Sequence, residues 1–366
     1  MFSNSKLRTF TLAVAACVVF SSCEDEKEGS PSYNVPETYN FENVSYTGQT
    51  QRMQMLDELD VYIKTGHTGA RLDAQKMKDM YANTNNAFSD ASLNAATSKQ
   101  LKNKTILTAQ PVFEGFFEDV AAASLSSGVP AVEGLPGLLS TADGSKSYLV
   151  NGNGVEYAQV IQKGLMSAVF FNQAVEGYLT EEKIGASVDN TTVTPGEGTR
   201  MEHHWDEAFG YFGAPVDFPT NTTGLKYWAN YSNQVNAALG SNKAMMDAFL
   251  KGRAAISAKD MKGKDEAAAT IRNEWERLVA ASAIHELNAA KTNIADQAKK
   301  SHYLSEAIGF VMGLQYKSDS KLSKAKYDEV LSAIGTSLYD TTADDINTAI
   351  NILSTAYGMD NIKGQL

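Results

Sequence analysis

The residues best suited to chemistry lie in one short run, Thr199-Arg-Met-Glu-His203-His204-Trp205-Asp206-Glu207-Ala-Phe-Gly210-Tyr211-Phe212. At about 100° per residue, a helix through it sets Met201, Trp205, Phe209 and Phe212 on one stripe. His203, His204 and Glu207 then cluster on the opposite side, with Tyr211 beside them. Spacings of three and four residues bring both imidazoles within reach of the Glu207 carboxylate. Imidazole and carboxylate on one face are the donors used by iron, zinc or another metal that prefers nitrogen and oxygen. A closed site takes four or more ligands, so His204 and Glu207 need partners from other helices.

The chain has only 5 histidines to offer. Besides His203, the candidates are His285, His302 and Glu306. His285 continues the Ile271-Trp275-Leu278 face of a long helix and is followed by Glu286. His302 and Glu306 stand one turn apart, and Gly309 and Gly313, next on their face, permit close approach by another helix. His67, within Thr65-Gly-His-Thr-Gly69, sits in a loop-like segment and is the least suited. A plainer reading stays open beside each. His203, His204 and Glu207 also fit a solvated helix face, and His285 a hydrogen-bonded core histidine. His302 and Glu306 also fit a surface pair worth about 0.3 kcal/mol.

The elements that must position these residues are helical. Met55-Leu59-Tyr62-Ile63 and Tyr157-Ile161-Leu165-Ala168-Phe171-Val175-Leu179 recur at helical spacing, and Pro111 precedes a further helix, Val112 to Leu125, with an aromatic stripe. Further helices are expected near 224–239, 242–257, 264–294, 297–316, 323–335 and 343–356. Strand-like alternation is almost absent. The fold class is therefore all-α, read as two helical bundles with a small irregular or hairpin insert near 127–154, where Gly and Pro accumulate. The N-terminal bundle spans 52–184, a linker with the His-x-x-Glu helix spans 185–225, and the C-terminal bundle spans 226–366.

Before the bundles stands an export signal. Lys6 and Arg8 precede the apolar run Phe10 to Phe20, then Ser21-Ser22-Cys23 and the acidic Glu24-Asp25-Glu26. The run is too short for a membrane span, which needs roughly 20 apolar residues. Residues 1–22 thus read as a lipoprotein signal peptide, Cys23 as the lipid acceptor, and 23–51 as a polar tether. Cys17 lies in the leader, so Cys23 is the one cysteine that the mature chain keeps. Disulfides, thiolate zinc sites, cysteine proteases and thiolate-ligated or covalently attached haem are excluded. Loss of Lys6 and Arg8 takes the net charge from −11 to −13, which gives no electrostatic reason to bind nucleic acid.

Enzyme motifs fare poorly. His285-Glu286-Leu287-Asn288-Ala289 begins like a zinc-peptidase helix but has alanine where the second histidine belongs. Neither a Gly-x-Ser-x-Gly elbow nor a phosphate loop is present. The His204-Trp205-Asp206-Glu207 element, in an all-helical exported chain of this size, resembles the imelysin-like family. Its signature is His-x-x-Glu with a glycine two residues earlier. Here Glu202 holds the glycine's position. Tyr33-Asn-Val-Pro36-Glu-Thr-Tyr-Asn-Phe41 and the run 202–213 look like an uncharacterised group of related bacterial lipoproteins. The resemblance implies a part in iron uptake, with His204 and Glu207 as metal residues. The expected protein is anchored to the outer membrane on its periplasmic or cell-surface face, binds iron, zinc or an iron-bearing ligand, and works with an outer-membrane transport partner. The alternatives are a metallopeptidase or a non-catalytic structural lipoprotein.

Overall fold

The computed structural model describes residues 33–366, so the expected signal peptide and Cys23 lie outside the described residues. Within them 13 α-helices accompany a single two-stranded antiparallel sheet, the all-α architecture that the periodicity predicts. Helix α1, Thr47–Lys64, runs into a 3-10 turn at Thr65–Thr68, followed by α2, Ala74–Ala82, α3, Ala91–Ala95, and α4, Gln110–Ser124. Pro111 sits in the first turn of α4, where its missing N–H leaves no gap in the ladder, and Phe113, Phe117 and Val120 form the buried stripe. The insert folds as a hairpin, β1, Gly137–Ser140, against β2, Ser147–Val150, with Gly137 opposite Val150.

Helix α5, Tyr157–Leu165, continues without a break into wide π-helical turns over Met166–Phe171 and Gln173–Tyr178. Carbonyls in the widened stretch take partners from outside the helix. Trp228 Nε1 donates to Met166 O at 3.0 Å and Ile106 N to Ala168 O at 3.1 Å. The remaining helices are α6, Glu181–Ile184, α7, Arg200–Phe212, α8, Tyr227–Leu239, α9, Ser241–Ala258, α10, Met261–Thr292, α11, Gln297–Gly313, α12, Lys324–Ile334, and α13, Ala343–Ala356.

The 32-residue α10 is the spine, packing against α8, α9, α11 and α13. Helix α11 lies close on α5, and its glycines are the reason. A Cβ on Gly309 would stand 2.6 Å from Lys163 Cβ, and one on Gly313 would stand 2.3 Å from Ser167 Oγ. Through this contact the helical sets on either side of residues 185–225 share one core, in which Leu56, Phe117 and Phe170 join Trp228, Trp275 and Phe310. Val35–Leu366 is a single compact unit. No helix of the described residues is long and apolar enough to cross a membrane.

The expected tether through residue 51 ends sooner than its composition suggests. Tyr39 is 1% exposed, stacks on Phe209 with ring centroids 3.7 Å apart, and donates to Asp206 Oδ1 at 2.7 Å. Tyr46 packs edge-on against Phe209, and α1 starts at Thr47. A polar, proline-bearing stretch hides these anchors because three aromatics in a dozen residues make no periodic pattern.

Candidate functional site

Helix α7 carries the histidines and is fixed at both ends. Thr199 Oγ1 accepts from Glu202 N at 3.2 Å while Glu202 Oε2 accepts from Thr199 N at 2.9 Å, a reciprocal cap. Gly213 ends the helix in the left-handed conformation, at φ 80°. The stripe Met201, Trp205, Phe209 and Phe212 is buried as its spacing predicts. Trp205 Nε1 donates to Phe249 O at 3.0 Å, and Gly252 of α9 leaves room for the indole.

The opposite side is less open than a solvated face. Asp206 is fully buried, 3.0 Å from Arg253 Nε, and Arg253 Nη1 reaches Glu202 Oε1 at 2.6 Å. Burial opposes ionisation of Glu202, but the Thr199 amide, Ser257 and Arg253 outweigh it and lower its pKa. Glu202 therefore caps α7 and pairs with a buried arginine, a physical reason for a carboxylate where the imelysin-like signature has glycine.

His203, His204 and Glu207 are half-buried. His204 Nδ1 lies 3.2 Å from Glu207 Oε2, and Gln49 Nε2 donates to Glu207 Oε1 at 2.9 Å. Tyr178, at the end of the π-helical stretch, stacks on His204 with centroids 6.1 Å apart and accepts from Gln49 Nε2 at 3.2 Å. Burial pushes the Glu207 pKa up, but the hydrogen bonds from His204 and Gln49 and the His203 charge bring it below its ordinary value. With the Nδ1 proton facing this carboxylate, a neutral His204 ring keeps its lone pair on Nε2. His204 Nε2 and His203 Nδ1 are both buried without a hydrogen-bond partner. Beside His203 a cavity of about 250 Å³ is walled by Gln49 and Arg52 of α1, with Lys104, Tyr178 and Glu207.

The other candidates meet elsewhere. His302 Nδ1 lies 2.7 Å from Glu156 Oε2, and its Nε2 lies 3.3 Å from Glu306 Oε1. His67 Nε2 stands 3.1 Å from Glu156 Oε1. Lys163 Nζ is 3.4 Å from Glu306, and the Tyr148 ring stacks on His302 with centroids 4.5 Å apart. Glu156 is fully buried, yet hydrogen bonds and charge from His302 and His67 outweigh burial and hold its carboxyl well below the usual range. Leu149 N donates to His67 Nδ1 at 3.0 Å, so the neutral ring carries its proton on Nε2, toward Glu156. That sets His67 Nε2–H within ion-pair distance of the carboxylate, though outside good hydrogen-bond geometry. Burial, with the Glu306 charge, pushes Glu286 up to about 9, and burial lowers the pKa of His285.

His302 and Glu306 thus find partners in Glu156 and Lys163 rather than in the His204–Glu207 pair. Among the described residues, no group of three or more His, Cys, Asp or Glu is arranged to hold a metal ion. Glu156, Gln49, Arg52 and Tyr178 were not singled out from sequence. A chain with 43 acidic residues gives one glutamate no signal, and only its place between Val155 and Tyr157, in an apolar setting, marks Glu156.

These features define an all-helical protein with a histidine-bearing polar cavity set between its first long helix and α7. The chain belongs to the family described as a domain of unknown function, DUF4856, whose model matches residues 36–360. The match begins close to Tyr39, where packing against α7 begins, and takes in both helical sets. No curated protein and no solved structure matches the chain.

Proposed function

We propose that this protein is a lipoprotein of the outer membrane that binds a metal, iron in the first place, carried within a ligand of its own. The supporting observation is the pair of buried, unpartnered ring nitrogens on α7, His203 Nδ1 and His204 Nε2. Metal-binding histidines commonly give their other N–H to a carboxylate, which fixes the tautomer and aims the lone pair. Glu207 stands in that relation to His204, at 3.2 Å, so its role is to orient. Two imidazoles leave half or more of a shell of four or more ligands to other donors, which suits a metal that arrives chelated.

The likeness of His204-Trp-Asp-Glu207 to the imelysin-like signature supplies the link to iron uptake and to an outer-membrane transport partner. Binding is favoured over peptidase chemistry because Glu207 is engaged by Gln49 and His204, and its lowered pKa makes it a weak general base near neutral pH. Cys23, after Phe20-Ser-Ser, supplies the membrane anchor.

The test is metal content of the full chain purified without chelator, with thermal melting during titration with iron or zinc. About one metal per chain is expected, falling below a tenth of that in His203→Ala/His204→Ala. Absence of stoichiometric metal together with no thermal shift sinks the reading. Palmitate labelling that is lost in Cys23→Ala tests the anchor separately.

A further inference from the structure

The cavity beside His203 and Glu207 carries positive charge that its own walls do not balance. Arg52 of α1 is 4% exposed, and its guanidinium donates to carbonyls, Nε to Gln100 O at 2.9 Å and Nη1 to Gly48 O at 3.2 Å, with the Tyr211 hydroxyl beside it. Lys104 Nζ meets the Tyr178 hydroxyl at 3.4 Å, and Lys99 lines the same wall. Among the described residues, none of these three cations has a carboxylate within 4.0 Å. Two carboxylates, Glu197 and Glu207, line the cavity against these three cations, which leaves one positive charge in excess, and Glu207 is engaged by His204 and Gln49 instead.

A buried charge without a counter-charge is costly, and natural proteins usually pair it. Burial lowers the pKa of Lys104, and repulsion from Arg52 lowers it further, against the pull of Glu207. The start of α1 adds to the same potential. Its N-cap residue Tyr46 provides no side-chain cap, its first turn contains no acid, and residues 45–49 line the cavity. Free amides and the helix dipole at such an end favour anions.

We propose that this cavity binds a small polycarboxylate, with Arg52 and Lys104 pairing its oxygens, the first turn of α1 donating amides, and His203 facing the ligand's remaining side. The cavity of about 250 Å³ is far above the ~10–15 Å³ that one water needs, and so has room for a small polycarboxylate. This names the chemistry of the ligand in the function proposed above and in that respect rests on it, but the charge on Arg52, Lys99 and Lys104 stands whether or not a metal is bound.

The experiment titrates the metal-free full chain with sodium citrate, with sodium phosphate at equal ionic strength, and separately with iron or zinc alone, by calorimetry and thermal melting. Citrate is expected to bind with a Kd below 1 mM, to weaken as salt rises, and to bind at least tenfold more weakly to Lys99→Gln/Lys104→Gln. Both lysines are partly exposed, so this variant tests the site even where Arg52→Gln fails to fold. Failure of citrate to bind, binding of phosphate alone, or full citrate affinity in the double variant overturns the proposal. Citrate binding without metal binding supports the anion site and removes the metal. Metal binding without citrate binding does the reverse.

Discussion

Replacing Glu156 by glutamine tests the buried network most directly. The side chain is fully buried, takes the His302 Nδ1 proton at 2.7 Å and the Gln159 Nε2 proton at 3.1 Å, and has His67 Nε2 at 3.1 Å. An amide puts an NH₂ where one carboxylate oxygen was, so in either orientation a histidine N–H meets a donor. One orphaned buried donor costs about 1–3 kcal/mol. Removing one partner of a buried charged pair costs about 3–5 kcal/mol, so Glu156→Gln is expected to lose about that much stability. With unfolding entropy near 2.1 cal/mol/K per residue, the Val35–Leu366 unit should melt roughly 4–7 °C lower. The assay is urea unfolding at pH 7, followed by circular dichroism and by fluorescence of the buried tryptophans. The pH dependence has a definite sign. Folding lowers the Glu156 pKa below its ordinary 4.5, so its stabilisation is full above that pH and declines as pH falls. The deficit of the variant should shrink between pH 7 and pH 3.5. A loss under about 1 kcal/mol at pH 7, or additivity within ~0.5 kcal/mol between Glu156→Gln and His302→Gln, would refute the coupling.

Two further substitutions probe the core and the second carboxylate pair. Burial and Glu306 push Glu286 up to about 9 from 4.5, so the folded chain holds a proton there that the unfolded chain releases. Stability should fall as pH rises from about 5 to 9, by at most about 1.4 kcal/mol per pH unit, and Glu286→Gln should flatten that slope. Urea midpoints at pH 6, 7.5 and 9 measure it, and parallel curves for the two proteins contradict it. For Gly252→Ala, the added Cβ would lie 2.0 Å from Trp205 Cζ2, and the indole is pinned through its bond to Phe249 O. A loss of about 1–3 kcal/mol is expected in the same assay, and unchanged stability contradicts the tight contact.

The parts legible in the sequence were those that repeat. The apolar stripe of α7, the helices from α8 to α13 and the glycines at 309 and 313 follow from a period of 3.6 residues. The hairpin near 127–154 follows from turn chemistry. What escaped was set by contacts distant in sequence. Gln49 reaches Glu207 and Tyr39 reaches Asp206 across more than 150 residues, and no local pattern encodes such a pair. His67 shows the same limit. Its loop-like surroundings describe its backbone, whereas its role is set by Leu149 on a hairpin strand and Glu156 before α5.

The two polar centres are joined by one element, and its geometry explains why half of the site was hidden. The helix that starts after Glu156 carries Lys163 on its first turns and ends at Tyr178 against His204. Had it stayed α-helical, its face could be counted in steps of 3.6 residues from end to end. Each π-helical turn instead holds an extra residue, so positions beyond Met166 face directions that the count from Tyr157 does not give. The outward bonds from Trp228 and Ile106 to the Met166 and Ala168 carbonyls hold the widened form in place. The same turns bring Tyr178 to the cavity while Lys163 stays beside Glu306. Wide turns of this kind recur where helices serve sites, and here the turn lets one helix wall both the Glu156 network and the cavity at His203 and Glu207.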